Sequence, residues 1–174
     1  MKRLVAVAMI LPLLSVTPFQ LSAPRIAARS DKTVLFVCEH GTVRSLLAKI
    51  LFEQYAAEVG LPMRAVSRGT RADSLVPLWM LQGLAADHIA LGAWHPQTLR
   101  PRDLANASYV VSFDIPTAAT AAARAPRAQW DSLPSVSRDY AMGRDEIQAR
   151  VHKLVDSLKR AHARGKAPRS IDQR

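Results

Sequence analysis

The sequence predicts an α/β protein: a parallel sheet covered by helices on both faces, three layers folded around one core. Three observations carry this. Thr33-Val34-Leu35-Phe36-Val37 is a short, unbroken, β-branched apolar run, as expected of a strand buried on both faces. The pattern then changes to helical spacing, with apolar residues at Leu46, Leu47, Ile50, Leu51, Tyr55 and Val59. A second strongly buried strand follows much later, at Ser108-Tyr109-Val110-Val111-Ser112-Phe113. Strands alternating with helices require right-handed crossovers and hence a parallel sheet. The 174 residues, 49% of them apolar, suit one domain and one core.

Taken in order, the chain starts with Met1-Lys2-Arg3 and an apolar run from Leu4 to Val16, the basic start and short apolar centre of a secretory signal. That run is shorter than the ~20 residues a membrane-spanning helix needs. Small-residue sites follow at Leu21-Ser22-Ala23 and Ile26-Ala27-Ala28. Residues 1–30 are therefore read as a signal peptide or an uncleaved anchor, able to touch a membrane transiently, and the protein as exported, periplasmic or secreted. A misassigned start codon would instead leave it cytoplasmic.

Residues 31–158 are read as the folded domain. Its first helix stops at Gly60-Leu61-Pro62, a C-terminal glycine followed by a proline. Met63 to Ser67 is a weaker strand, and Val76 to Ile89 is helical with Gly83 inside it. After the 108–113 strand, the alanine-rich stretch from Thr117 to Arg124 predicts a short helix and Arg127 to Trp130 a short edge strand. Ile147, Val151, Leu154, Val155 and Leu158 form the apolar stripe of a closing helix, preceded by Asp145 and Glu146 where a helix start favours acid. Residues 159–174 read as a basic, solvated tail.

The formal charge of +10 invites a nucleic-acid partner, but its location argues against one. Residues 31–158 hold 14 basic and 13 acidic side chains, so the excess sits in the two ends. Cys38 is the only cysteine, which excludes an internal disulfide and leaves a buried apolar residue, a nucleophile or half of an intermolecular bond. The sequence contains no metal-spaced His/Cys cluster and no dinucleotide glycine fingerprint, and no cofactor is expected.

In open parallel folds ligands bind beyond the carboxyl ends of the strands. The segment there is Cys38-Glu39-His40-Gly41-Thr42-Val43-Arg44-Ser45, a Cys-x5-Arg-Ser sequence between strand and helix. Five intervening residues let the backbone curl so that successive N–H groups point inward and join the positive end of the following helix in an anion site. Those donors also stabilise negative charge on the sulfur, as a nucleophile requires. Arg44 can place two parallel N–H bonds on an oxyanion, Ser45 can donate to the sulfur, and Gly41 permits a positive φ or a close approach. Cys38 and Arg44 are thus the expected catalytic pair, with Glu39, His40, Gly41, Thr42, Val43 and Ser45 as the substrate-binding loop.

Val34-Leu35-Phe36-Val37-Cys38 with Arg44-Ser45 resembles the opening of the low-molecular-weight protein tyrosine phosphatase family, whose fold thioredoxin-coupled arsenate reductases share. The resemblance continues at Val66-Ser67-Arg68-Gly69-Thr70 and from His95 through Asp114, and covers roughly Lys32 to Leu158. It implies a four-stranded parallel sheet flanked by helices, a P-loop after the first strand, and hydrolysis of phosphate monoesters through a cysteinyl-phosphate without a metal. The substrate it implies is a phosphorylated protein, phosphotyrosine-like, or a small phosphate ester. Arsenate reduction with an external thiol, or oxyanion binding without catalysis, are the alternatives.

Three departures qualify the resemblance. The family usually has Asn where this chain has Gly41, and often a second cysteine where this chain has Val43. The family's general acid comes from an Asp-Pro near the carboxyl end, and this chain has no Asp-Pro. The remaining candidates are Asp139, beside an aromatic Tyr140 expected to wall the cleft, and Asp131 after Trp130. His40 is read as a residue that steers substrate or is merely exposed, and Asp114 as a strand-end cap or loop brace.

Overall fold

A computed structural model describes residues 32–165; residues 1–31, which include the segment read as a signal peptide or anchor, and the last nine residues of the tail lie outside the described part. Four strands, β1 (Thr33–Cys38), β2 (Arg64–Gly69), β3 (Tyr109–Ser112) and β4 (Arg127–Gln129), form one parallel sheet in the order β2-β1-β3-β4. Helices α1 (Arg44–Glu58), α2 (Leu78–Ala86), α3 (Pro101–Asn106) and α4 (Tyr140–Ala163) connect and cover it. The chain leaves β1 toward β2, then crosses back over β1 to reach β3. The carboxyl ends of β1 and β3 therefore meet at the point where the winding reverses, the place where this architecture opens a crevice.

The period of two along β1 creates the layers. Val34, Phe36 and Cys38 face one side, where they pack with Leu46, Leu47 and Phe52 of α1, Met80 and Leu84 of α2, and Ile147, Val151 and Leu154 of α4. Leu35 and Val37 face the other, against Val110, Ile115 and Leu104 of α3. The Phe36 ring lies 5.9 Å from Phe52 and 6.2 Å from Trp130, and Trp130 meets Phe113 edge-on. Each such side chain, fully buried, contributes roughly 1.5–3 kcal/mol.

The elements differ from the sequence reading in four places. Pro77 takes the N-cap position of α2, so that helix starts at Leu78, because a residue before proline is steered away from helical geometry. The six-residue α3 was not foreseen; Pro101 occupies its first turn and the Asp103 carboxylate accepts the Arg100 N–H at 2.9 Å. The expected helix at Thr117–Arg124 is a single 3₁₀ turn, Thr117–Thr120.

The closing helix α4 starts at Tyr140, five residues ahead of Asp145, with the Asp139 carboxylate accepting the Met142 N–H at 2.9 Å as its cap. Gly143 in its first turn hides the helix from a propensity reading but is required by packing. A Cβ there would lie 2.7 Å from Val136 Cγ2. At the other end α4 runs to Ala163, so residues 159–163 of the expected tail are helical. Among the described residues no helix is long and apolar enough to cross a membrane.

Candidate active site

Cys38 is the last residue of β1, and α1 begins six residues later at Arg44. The loop between them curls around the sulfur. The Gly41 N–H points at Cys38 Sγ (3.1 Å), and the Ser45 hydroxyl lies 2.9 Å from it. Gly41 has φ +73°, the left-handed conformation that turns its amide inward, so glycine stands where the turn needs it. The thiol is almost fully buried, with 8% of its surface exposed at the floor of the cleft.

The loop is braced from β2 and the turn beyond it. Ser67 Oγ lies 3.0 Å from the Gly41 carbonyl oxygen and 2.8 Å from Ser45 Oγ, and its single O–H serves one at a time. The N–H groups of Thr70, Arg71 and Asp73 donate to the carbonyls of Cys38, Glu39 and His40. Gly69 lies so close that a Cβ on Gly41 would stand 2.8 Å from its nitrogen. An asparagine at position 41 therefore has no room here. The bracing that Gly41 cannot provide comes from Ser67 and the following backbone.

Arg44 does not lie free in the cleft. Its guanidinium is paired with Asp114, which follows β3 with φ +45° and whose other oxygen accepts the Ser132 N–H at 3.1 Å. Asp114 is thus both a loop brace and the partner of the Arg44 guanidinium. An anion entering the loop would compete with that carboxylate for the guanidinium fork.

The cleft encloses about 350 Å³ and is lined by the P-loop residues Cys38 to His40 and Thr42 to Arg44, by Asp73, Pro77 and Trp79, and by Phe113, Asp114 and Ser135 to Ser137. Pro77, Trp79, Phe113 and Val136 give it an apolar wall. Neither Asp131 nor Asp139 belongs to the lining. Asp131 accepts the Asp114 N–H (2.8 Å) and the Gln129 amide (2.7 Å), and Asp139 caps α4. The expectation that Tyr140 walls the cleft is corrected. The first turn of α4 aims it at α2, where its ring covers Gly83 and its hydroxyl donates to Asp87 at 2.8 Å. Burial, then the bond to Asp87, push that phenol well above its ordinary range.

Asp73 escaped the sequence reading. Its Oδ1 meets His40 Nδ1 at 3.0 Å and its Oδ2 accepts the Thr42 hydroxyl at 3.1 Å. Nothing in the sequence marks a carboxylate more than thirty positions from its partners. No group of His, Cys, Asp and Glu among the described residues could hold a metal ion.

A thiol under an inward amide, followed by an arginine on the first turn of a helix, at the winding reversal of a parallel sheet, defines a cysteine-based oxyanion site. The chain belongs to the low molecular weight phosphotyrosine protein phosphatase family, whose model matches residues 33–130. That match ends at Trp130, just before the loop in which the Asp-Pro is missing. Similar solved structures include a low molecular weight protein tyrosine phosphatase from Bacillus subtilis, at 22% identity over 75% of this chain and 99% of that one, TM-score 0.61. An arginine phosphatase from Geobacillus stearothermophilus is 18% identical over 76% and 96%, TM-score 0.59. A thioredoxin-dependent arsenate reductase from Corynebacterium glutamicum is 21% identical over 78% of this chain and 65% of that one, TM-score 0.61. At these identities the likeness establishes the shared fold. A search of curated proteins gives no match.

Proposed function

We propose that the protein is a phosphatase that hydrolyses phosphate monoesters through a cysteinyl-phosphate on Cys38. The observation that carries this reading is the sulfur itself, buried at the cleft floor with the Gly41 N–H and the Ser45 hydroxyl directed at it. Negative charge developing on sulfur is stabilised by these donors, and N–H groups of the loop would donate to the equatorial oxygens of a phosphoryl group in flight. Arg44 supplies the fork as charge builds. The apolar wall of Pro77, Trp79, Phe113 and Val136 suits an aromatic leaving group, so the substrate class is phosphotyrosine-like.

Arsenate reduction is the second reading, because arsenate matches phosphate in shape and charge and the fold is shared with a reductase. With Cys38 as the only cysteine, the oxidised arsenic adduct could be resolved only by an external thiol. The deciding experiment compares an aryl phosphate, phosphoarginine, and arsenate with added thiol, using the native chain and its Cys38→Ser form. Thiol-independent, Cys38-dependent release of phosphate from the aryl ester is the expected result. Turnover of arsenate with added thiol, and of neither phosphate substrate, would transfer the site to the second reading.

A further inference from the structure

We propose that His40 is the proton donor to the leaving oxygen, with Asp73 as its positioning partner, so that the acid of this site sits on the P-loop. This rests on the phosphatase reading and deepens it. The chemistry needs a proton at the cleft mouth, since expelling an alkoxide or phenoxide without one is slow. The titratable groups lining the cleft are Cys38, Glu39, His40, Arg44, Asp73 and Asp114. Both oxygens of Asp114 accept hydrogen bonds, from Arg44 and from the Ser132 amide, as an ionised carboxylate does. Both oxygens of Asp73 are engaged as well, by His40 and Thr42, and Glu39 is paired with Arg71. Each of these carboxylates is thus held by partners of its own.

His40 differs. Its side chain is half exposed at the rim, and its Nδ1 is fixed by Asp73 Oδ1 at 3.0 Å. The other ring nitrogen, Nε2, faces Glu39 at ion-pair distance. Its nearest charged neighbour, Glu39 Oε2, lies at 3.6 Å, beyond hydrogen-bond range, so a leaving oxygen can take that position. The charges around the ring are Asp73 from the turn after β2, Glu39 from its own loop with Arg71 behind it, and the Arg44–Asp114 pair deeper in the cleft.

The step balances. Cys38 Sγ forms a bond to phosphorus, the bond to the leaving oxygen breaks with its electron pair on oxygen, and that oxygen takes the proton from His40 Nε2. In the second half, neutral His40 removes a proton from the water that attacks phosphorus. The P–S bond then returns its electrons to sulfur as thiolate. Asp73 keeps Nδ1–H in place throughout, the orienting role a carboxylate plays behind a catalytic imidazole.

The test measures kcat/KM against pH for phenyl phosphate and for nitrophenyl phosphate, whose leaving group needs no proton. For His40→Asn, the phenyl-to-nitrophenyl rate ratio is expected to fall by about 10²-fold and the basic limb of the phenyl profile to flatten. Asp73→Asn should slow the phenyl ester and move that limb to lower pH, since an amide favours the imidazolium less than a carboxylate does; a purely structural role would leave the limb in place. Protection of each variant against heat by vanadate shows that the P-loop is intact. An unchanged ratio, or a reduced ratio with the limb unmoved, overturns the proposal. Should His40→Asn not fold, the limb of Asp73→Asn decides, and its persistence at the native pH overturns the assignment. Failure of the native chain on both esters is distinguishable from these results and removes the phosphatase reading together with the acid built on it.

Discussion

Two loops face each other across the cleft, and they are built on opposite plans. The P-loop is short, laced by amide bonds from residues 70–73 and anchored by Ser67 under Gly41. The loop from Asp131 to Asp139 reaches the cleft only through Ser135, Val136 and Ser137, and directs its two carboxylates into backbone contacts at either end. One half of the site is a braced loop wrapped around the sulfur. The other has surrendered its titratable groups to structure. The comparison teaches that the carboxylates of the second loop are committed to its own backbone and neighbours, so that with His40 as the acid the P-loop side carries both tasks.

The largest effects test the anion-holding half. Cys38→Ser should abolish turnover, by about 10⁴-fold or more, while leaving the melting temperature within a few degrees. Arg44→Lys keeps a positive charge but loses the planar fork, and about a 10²-fold loss in kcat/KM is expected with little change in stability. Equal losses of stability and activity in Arg44→Lys would make its pair with Asp114 a structural salt bridge and break the comparison at its stronger side.

Gly41→Asn sharpens it. The substitution restores the residue usual in the family, yet it should harm this chain, because a Cβ at that position would stand 2.8 Å from the Gly69 backbone nitrogen. A destabilisation of about 2 kcal/mol or more, read by denaturant unfolding, with loss of turnover, is the expected outcome. A gain in activity would mean that the β2 turn is softer than its hydrogen bonds indicate.

These residues also show what was legible in the sequence. The strand, loop and helix from Thr33 to Glu58 are contiguous, so apolar periodicity and the Cys-x5-Arg spacing revealed them together. The partners that give the loop its shape are remote. Ser67 and Asp73 meet it only through sheet register, in which Cys38 pairs with Gly69. Tyr140 was misplaced for a related reason. Adjacency to Asp139 suggested a shared cleft, but a helix start sends neighbouring side chains in different directions. The six residues of α3 are too few to show a period at all.

A smaller effect asks how far the bracing extends behind β2. Arg68, next to Ser67, makes a two-pronged pair with Asp103 of α3, at 3.0 and 3.1 Å. Burial pushes the Asp103 carboxyl upward, but the Arg68 bond, the Arg100 amide and nearby arginine charge outweigh it and hold the group below its ordinary range. A depressed carboxylate stabilises the fold above its unfolded pKa, and that contribution is lost as pH falls through the lower folded value. Asp103→Asn should therefore cost about 2 kcal/mol at neutral pH and progressively less below the usual carboxylate range. An equal cost at every pH would assign the loss to packing.

The smallest effects concern the loop after β4, and they bear most directly on the comparison. Asp139→Asn should leave both stability and the phenyl-to-nitrophenyl rate ratio nearly unchanged, because asparagine caps a helix as well as aspartate does, whereas Asp139→Ala should cost about 1 kcal/mol by losing the bond to the Met142 amide. Asp131→Asn retains one acceptor, for either the Asp114 N–H or the Gln129 amide, so a modest stability loss without a selective loss on the phenyl ester is expected. Either substitution would break the comparison if it lowered that rate ratio as a missing acid does. The loop would then have to swing its carboxylate from backbone to substrate when the cleft fills, and an acid on the carboxyl-end loop would return in place of His40. A flat response in both places the protonating half of the site on the P-loop side of the cleft, where Asp73 holds the imidazole.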